Sequence, residues 1–350
     1  MSNEYKPPFP WFGGKSAVAD KVWAAMGDVT NYVEPFFGSG AVLFLRPGGA
    51  GKTETINDAD GFVANFWRAL LRDPDAVAEH ADNPVNEADL HARHLWLNGQ
   101  RERITERLMG DPDFFDAKAA GWWCWGACCW IGSGWCSGQG PWHSVDGVMV
   151  KGDGDGTGVS RAIPHLGDAG RGVSRQLPQL RNAGQGVNRQ IPRDMSKGAR
   201  QDRRENLRAY LGEFADRLAR VRVCCGDWSR VCGTVTTVCR GTTGVFLDPP
   251  YADSAGRDKD LYAIDCGSVS HAVKEWAIEQ GASPLMRIVM AGYEGEHAAF
   301  PPGWRTVEWK AHGGYANLST DEEATGRVNA KRERLWLSPH CVKTEGGLWD

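Results

Sequence analysis

The segment Gly244-Val-Phe-Leu-Asp-Pro-Pro-Tyr251 constrains the fold more than any other stretch of the chain. Val245, Phe246 and Leu247 form the short apolar run expected of a buried strand in an α/β sheet. Pro249 and Pro250 cannot donate to a ladder and hold the backbone extended, so the strand ends at Asp248. A carboxylate, the Pro249 carbonyl and the Tyr251 ring then stand together at a strand's carboxyl end. Open α/β sheets place their ligands there. The trio suits a flat ring that bears an amino group. Asp248 and the Pro249 carbonyl can each accept one N–H, and Tyr251 can stack on the ring face. An edge strand closed by a proline turn is the structural alternative, and the upstream segments weigh against it.

Asn31-Tyr-Val-Glu34-Pro-Phe36-Phe-Gly38-Ser-Gly40, followed by Ala-Val-Leu-Phe-Leu45, reads as a strand, a Gly-x-Gly turn and an apolar helix. It is not the full dinucleotide fingerprint, because position 43 is Leu43 rather than a third glycine. Glu34 before the turn would repel a phosphate but favour an ammonium or sulfonium. Asp58 follows in Thr55-Ile-Asn-Asp-Ala-Asp60, at the expected end of a second strand, where an acid commonly takes ribose hydroxyls. Asp60 fits better as the amino cap of a helix over 62–71, which leaves Asp58 for a ligand. Nearer the amino end, Pro10-Trp11-Phe-Gly-Gly-Lys15 precedes an amphipathic run over 17–26. Two glycines permit close approach, Lys15 adds charge where a helix start already favours an anion, and Trp11 offers a flat wall. A surface lysine after a tight turn is the alternative for Lys15.

Two segments imitate other sites. Gly48-Gly-Ala-Gly-Lys52-Thr53 resembles a phosphate loop, but Arg46 occupies the position that needs glycine. Asp153-Gly-Asp155-Gly-Thr-Gly158 resembles a calcium loop, but Pro164 stands where the bidentate glutamate belongs. Cys124, Cys128, Cys129 and Cys136, with His143 nearby, suggest zinc at first sight. They contain no C-x-x-C pair and lie in an apolar tryptophan-rich run, so buried reduced thiols are expected and no metal.

Between the two groups of motifs lies a basic island. A 14-residue unit recurs as Gly156-x-Gly-Val-Ser-Arg161-x-Ile-Pro164, Gly170-x-Gly-Val-Ser-Arg175-x-Leu-Pro178 and Gly184-x-Gly-Val-Asn-Arg189-x-Ile-Pro192. Glycine and proline in each unit exclude a long helix, so three similar turns or short strands are expected, each offering one arginine. Residues 156–204 carry ten Lys/Arg against three Asp and no Glu, inside a chain of net charge −4. Arg161, Arg175 and Arg189 are therefore candidate contacts to a polyanion such as nucleic acid; a disordered polar linker is the bland reading.

In their order, FGGK, EPFFGSG, the acidic N-D-x-D stretch and DPPY resemble the Dam-type N6-adenine DNA methyltransferases. The resemblance is firm over residues 7–72 and about 221–251. It implies an α/β, S-adenosylmethionine-dependent methyltransferase fold, a mixed and largely parallel sheet flanked by helices, with an inserted target-recognition region. The core would occupy 1–105 and 205–350, and the insert 106–204. It also implies methyl transfer from S-adenosylmethionine to N6 of a flipped adenine in double-stranded DNA. Asp248, Pro249, Pro250 and Tyr251 would then be catalytic. Trp11, Lys15, Asp58 and Asp248 would contact the cofactor, with Asp227 at its adenine end. Glu34, Phe36, Gly38 and Gly40 join them from the turn itself. A non-catalytic nucleic-acid-binding homologue, or an enzyme acting on RNA or a protein amide, are the rival functions.

The remainder reads as a helix over 203–221, a strand from Arg222 towards Asp227, a helix over 269–280, a strand over 287–291 and a closing hairpin at 305–309 and 334–337. Polar loops are expected at 252–263 and 312–331. With 41 % hydrophobic and 24 % charged residues and no apolar stretch of membrane-spanning length, a soluble intracellular protein is expected. The recognised DNA sequence, the oligomeric state and any cognate restriction nuclease are not written in these motifs.

Overall fold

The computed structural model describes residues 6–11, 13–130, 135–136, 142–145, 148–151, 197–233, 241–250, 269–296, 299–309 and 332–343. Tyr251, the three repeats with Arg161, Arg175 and Arg189, the calcium-like loop and the loops at 252–263 and 312–331 lie outside the described residues.

In chain order the elements begin with α1 (Ala19–Met26), β1 (Asn31–Glu34), α2 (Ala41–Phe44) and β2 (Thr53–Asp58). Helices α3 (Gly61–Arg72), α4 (Pro74–Ala81), α5 (Glu87–Gly110) and α6 (Ala117–Cys129) follow. Then come β3 (Trp142–Val145), β4 (Val148–Lys151), α7 (Lys197–Leu218), β5 (Val221–Cys225) and β6 (Thr243–Leu247). The last elements are α8 (Val269–Gln280), β7 (Met286–Tyr293), β8 (Arg305–Glu308) and β9 (Glu333–Leu337). The chain divides into two units. Of the described residues, one takes 6–11 and those between 60 and 219, and the other takes 13–59 and those from 220 onward.

The second unit holds a seven-stranded sheet in the order β5-β2-β1-β6-β7-β9-β8. Strands β5, β2, β1, β6 and β7 run parallel, and β9 pairs antiparallel with both β7 and β8. Burial explains the composition: every residue of β6 is buried, so the strand reads as a continuous apolar run rather than an alternating one. The strand order reverses between β1 and β6, the place where parallel sheets open a crevice at their carboxyl ends. The expected closing hairpin is present as β8 and β9, and α8 spans the expected residues.

Two local expectations need correction. The apolar helix after Gly40 is a single turn, because Pro47 disfavours helix at Arg46 and the following glycines let the chain leave. Helix α7 begins at Lys197, earlier than expected, and Val221 belongs to β5. The phosphate-loop look-alike runs directly into β2, so no helix amino end follows Lys52.

The first unit is mainly helical. Asp60, Asp73, Asn86 and Asp116 cap α3, α4, α5 and α6 by accepting backbone N–H groups. Its core is aromatic: Phe9 packs edge-on against Phe66 at 5.2 Å and Trp123 at 4.8 Å. Arg68 is buried and donates to the carbonyls of Leu108, Asp111 and Phe114, which ties α3 to the end of α5 and the turn beyond it. Cys124 and Cys128 lie one turn apart on α6 and both donate to the Pro8 carbonyl. With Cys129 they are buried thiols, and burial pushes the Cys129 thiol well up. Among the described residues no group of three or more His, Cys, Asp or Glu is arranged to hold a metal. No described helix is long and apolar enough to cross a membrane.

Candidate active site

The parallel strands place their last residues along one edge of the sheet. Glu34 ends β1, Asp58 ends β2, Asp227 follows β5 by two residues and Asp248 follows β6 by one. Buried strands fix where these side chains start, and a set of turn hydrogen bonds fixes the loops beyond. The Asn57 amide donates to the carbonyls of Pro35 at 3.1 Å and Gly226 at 2.9 Å, tying three strand ends together. Gly226 N–H donates to the Asp58 carbonyl, and Phe37 N–H to that of Asn57. Asn57 belongs to the acidic motif but carries no ligand expectation; its signal is the short side chain between two buried strand ends.

The glycine turn is shaped by Gly38 and Gly40, both at positive φ. Gly40 lies in the left-handed region at φ 77°, and an added Cβ would meet the Phe37 ring at 2.4 Å. Gly38 N–H donates to Asp58 Oδ2 at 2.9 Å, so the acid of the second strand also braces the first turn. Phe36 is half-buried against the sheet's core cluster. Asp227 is exposed, and its carboxylate accepts from Ser229 N–H at 2.9 Å and from the Ser229 hydroxyl, capping a short 3₁₀ turn.

Lys15 and Asp248, far apart in sequence, meet. Lys15 Nζ lies 2.8 Å from Asp248 Oδ2 and donates to the Gly13 carbonyl at 2.7 Å. Lys15 is only 5 % exposed. Burial pulls its pKa down, but the charges of Asp248 and Glu333 outweigh that and hold the ammonium above its ordinary value. Trp309 lies beside it, with Nζ 6.0 Å from the ring centroid.

Glu34 is in a different state. It is 3 % exposed and accepts from the Tyr32 hydroxyl at 2.8 Å. Burial drives its pKa well above the ordinary glutamate range. The Tyr32 hydroxyl and the Leu43 N–H oppose this, while the negative charges of Asp248 and Asp58 add to it. Tyr32 and Glu333 escaped the sequence reading: Tyr32 looks like one more strand residue, and Glu333 sits in a charge run before Leu-Trp-Leu.

Trp11 belongs to the other unit, where its ring meets Phe9 edge-on at 5.8 Å. Glu34, Phe36, Gly38, Gly40, Asp58, Asp227, Asp248 and Lys15 therefore belong to one unit and Trp11 to the next.

Chemically, an edge carrying Glu34, Asp58, Asp227 and Asp248 repels phosphate. It suits a ligand that brings positive charge and hydroxyl groups, and Lys15 is already balanced by Asp248. This donor set fits a sulfonium nucleoside. Residues 11–102 match the family model described as D12 class N6 adenine-specific DNA methyltransferase, a span that takes in the glycine turn and Asp58 but ends before Asp227 and Asp248. No curated protein matches the chain.

Proposed function

We infer that the chain is an adenine-specific DNA methyltransferase, and that its catalytic centre is the end of β6 at Asp248. The observation that carries this reading is the ion pair at a buried strand end: Asp248, 2.8 Å from Lys15, on the edge that also bears Glu34 and Asp58. S-adenosylmethionine supplies the methyl group. Glu34 lies where positive charge is favoured, Asp58 and Asp227 offer acceptors for hydroxyl and amino hydrogens, and Trp11 offers a ring face. Phe36, Gly38 and Gly40 shape the turn between Glu34 and α2.

On this reading the target adenine leaves the duplex stack, which costs a few kcal/mol. Stacking on Tyr251 returns about 1–3 kcal/mol. Asp248 and the Pro249 carbonyl each hold one N6 hydrogen, which turns the nitrogen lone pair towards the methyl group. Pro250 keeps the carbonyl rigid. As the new N–C bond forms and the C–S bond breaks, the nitrogen becomes cationic, and Asp248 is the acceptor for the proton it sheds. Alignment contributes more here than basicity.

The substrate is proposed to be double-stranded DNA. Purified protein given tritium-labelled S-adenosylmethionine should label adenine in unmethylated duplex DNA and leave RNA and casein unlabelled. Label in RNA or protein would overturn the assignment.

Arg161, Arg175 and Arg189 are proposed to bind phosphates, because their regular spacing in the sequence offers equivalent cations to a regularly charged backbone. Each lost phosphate contact lowers the slope of log affinity against log salt by about 0.9. The triple alanine variant should therefore bind more weakly at moderate salt, with a slope shallower by roughly two to three units. Sequence preference should persist, since backbone contacts position without specifying. A salt titration with an unchanged slope would end this reading of the repeats.

A further inference from the structure

We propose that Lys15 acts on Asp248 as a positioning residue rather than holding the carboxylate of the methyl donor. The proposal rests on Asp248 being the adenine clamp. A lysine ammonium has three N–H donors. In Lys15 one faces Asp248 Oδ2 at 2.8 Å and another faces the Gly13 carbonyl at 2.7 Å. Glu333, buried at 4 % exposure on β9, adds a second negative charge felt by the ammonium. Its carbonyl also accepts the N–H of Trp309, whose ring lies beside Lys15. A donor carboxylate that took the place of Asp248 at this buried ammonium would leave the Asp248 charge without its partner, which is costly.

The pairing has a chemical consequence for the clamp. Binding Oδ2 fixes the plane of the Asp248 carboxylate and leaves the acceptor role towards adenine to Oδ1. It also sets a positive charge against the carboxylate, which favours its ionised form. Among the described residues, the titratable groups around the pair include Glu34 at the end of β1, Tyr293 on β7 and Glu333 on β9. Glu333 disfavours a further negative charge there, and burial already pushes Glu34, another strand-end acid, well above its ordinary pKa. A protonated Asp248 could not accept an adenine hydrogen at that oxygen. Lys15 thus sets the charge on the clamp.

The test compares full-length wild type, Lys15→Met and Lys15→Arg. Calorimetry with S-adenosylmethionine gives the Kd, and tritium transfer to unmethylated genomic DNA at saturating donor gives kcat across pH. Lys15→Met should lose about a hundredfold or more in kcat while Kd changes less than about threefold, because the ammonium acts on Asp248. The acid limb of its rate profile should rise by about one unit or more. Lys15→Arg keeps the charge but not the point geometry, so its acid limb should stay in place while kcat falls. A tenfold rise in Kd with kcat preserved in Lys15→Met would overturn the proposal. So would a tenfold rise in Kd in Lys15→Arg with kcat and its acid limb unchanged; that result stands even if Lys15→Met fails to fold. Absence of transfer by the wild type would overturn the functional reading itself, and this inference with it.

Discussion

Asp248→Ala should abolish methyl transfer, with kcat lowered by at least about a thousandfold, or roughly 4 kcal/mol of transition-state stabilisation. The substitution removes an acceptor for the N6 hydrogens and the acceptor for the departing proton at once. It also leaves Lys15 charged and buried without its partner at 2.8 Å, and breaking such a pair costs about 3–5 kcal/mol of stability. Activity and stability must therefore be measured together. Asp248→Asn separates them: the amide retains the shape and one oxygen for Lys15 but loses the charge. Its melting temperature should fall less than that of the alanine variant, while its turnover stays low. Turnover of either variant within about tenfold of wild type would remove the clamp assignment, since that is only ~1.4 kcal/mol.

Binding of S-adenosylmethionine should release a proton from Glu34. In the protein alone, burial and the charges of Asp248 and Asp58 hold the Glu34 pKa well above the ordinary glutamate range. A sulfonium or ammonium brought near it favours the ionised form and lowers that pKa. The free site thus holds more protons than the loaded one, so affinity rises with pH. The rise spans the window from the lowered, bound pKa to the raised, free one, by up to about tenfold per pH unit. The sign for stability is opposite. A folded-state pKa raised above the unfolded value makes this group's contribution greatest below the ordinary glutamate range, and it is lost as pH climbs through the folded value. Calorimetry in two buffers of different ionisation enthalpy counts the protons released. Glu34→Gln should release none and should flatten the pH dependence. S-adenosylhomocysteine, which lacks the sulfonium charge, should release fewer protons than the donor. Equal proton release by wild type and Glu34→Gln would place the titration elsewhere.

Much of the sheet was legible because its strands announce themselves chemically. Val245 to Leu247 is apolar throughout because β6 is buried on both faces, and Pro249 must end it. Asp58 and Asp60, two residues apart, were separable into a strand end and a helix cap because only the latter is followed by a helix. Helix α5 was not legible. Its buried positions Leu90, His94, Leu97, Ile104 and Leu108 are spread among charged residues and include a histidine. Within the site, motifs located Lys15, Glu34, Asp58 and Asp248 but not their pairing. Lys15 reads as a ligand for an anion until Asp248 is found 2.8 Å away, a contact between residues that local spacing cannot reveal. Glu333 is hidden for the same reason, since only the register of β9 beside β7 brings it near Lys15.

The most direct measurement is to express the chain in a bacterial host that lacks all DNA methylation and to map N6-methyladenine across the host genome. The account predicts methylated adenines at a defined short sequence, present with the wild type and absent with Asp248→Ala. A genome without N6-methyladenine, from cells that accumulate the folded wild-type protein, would contradict it.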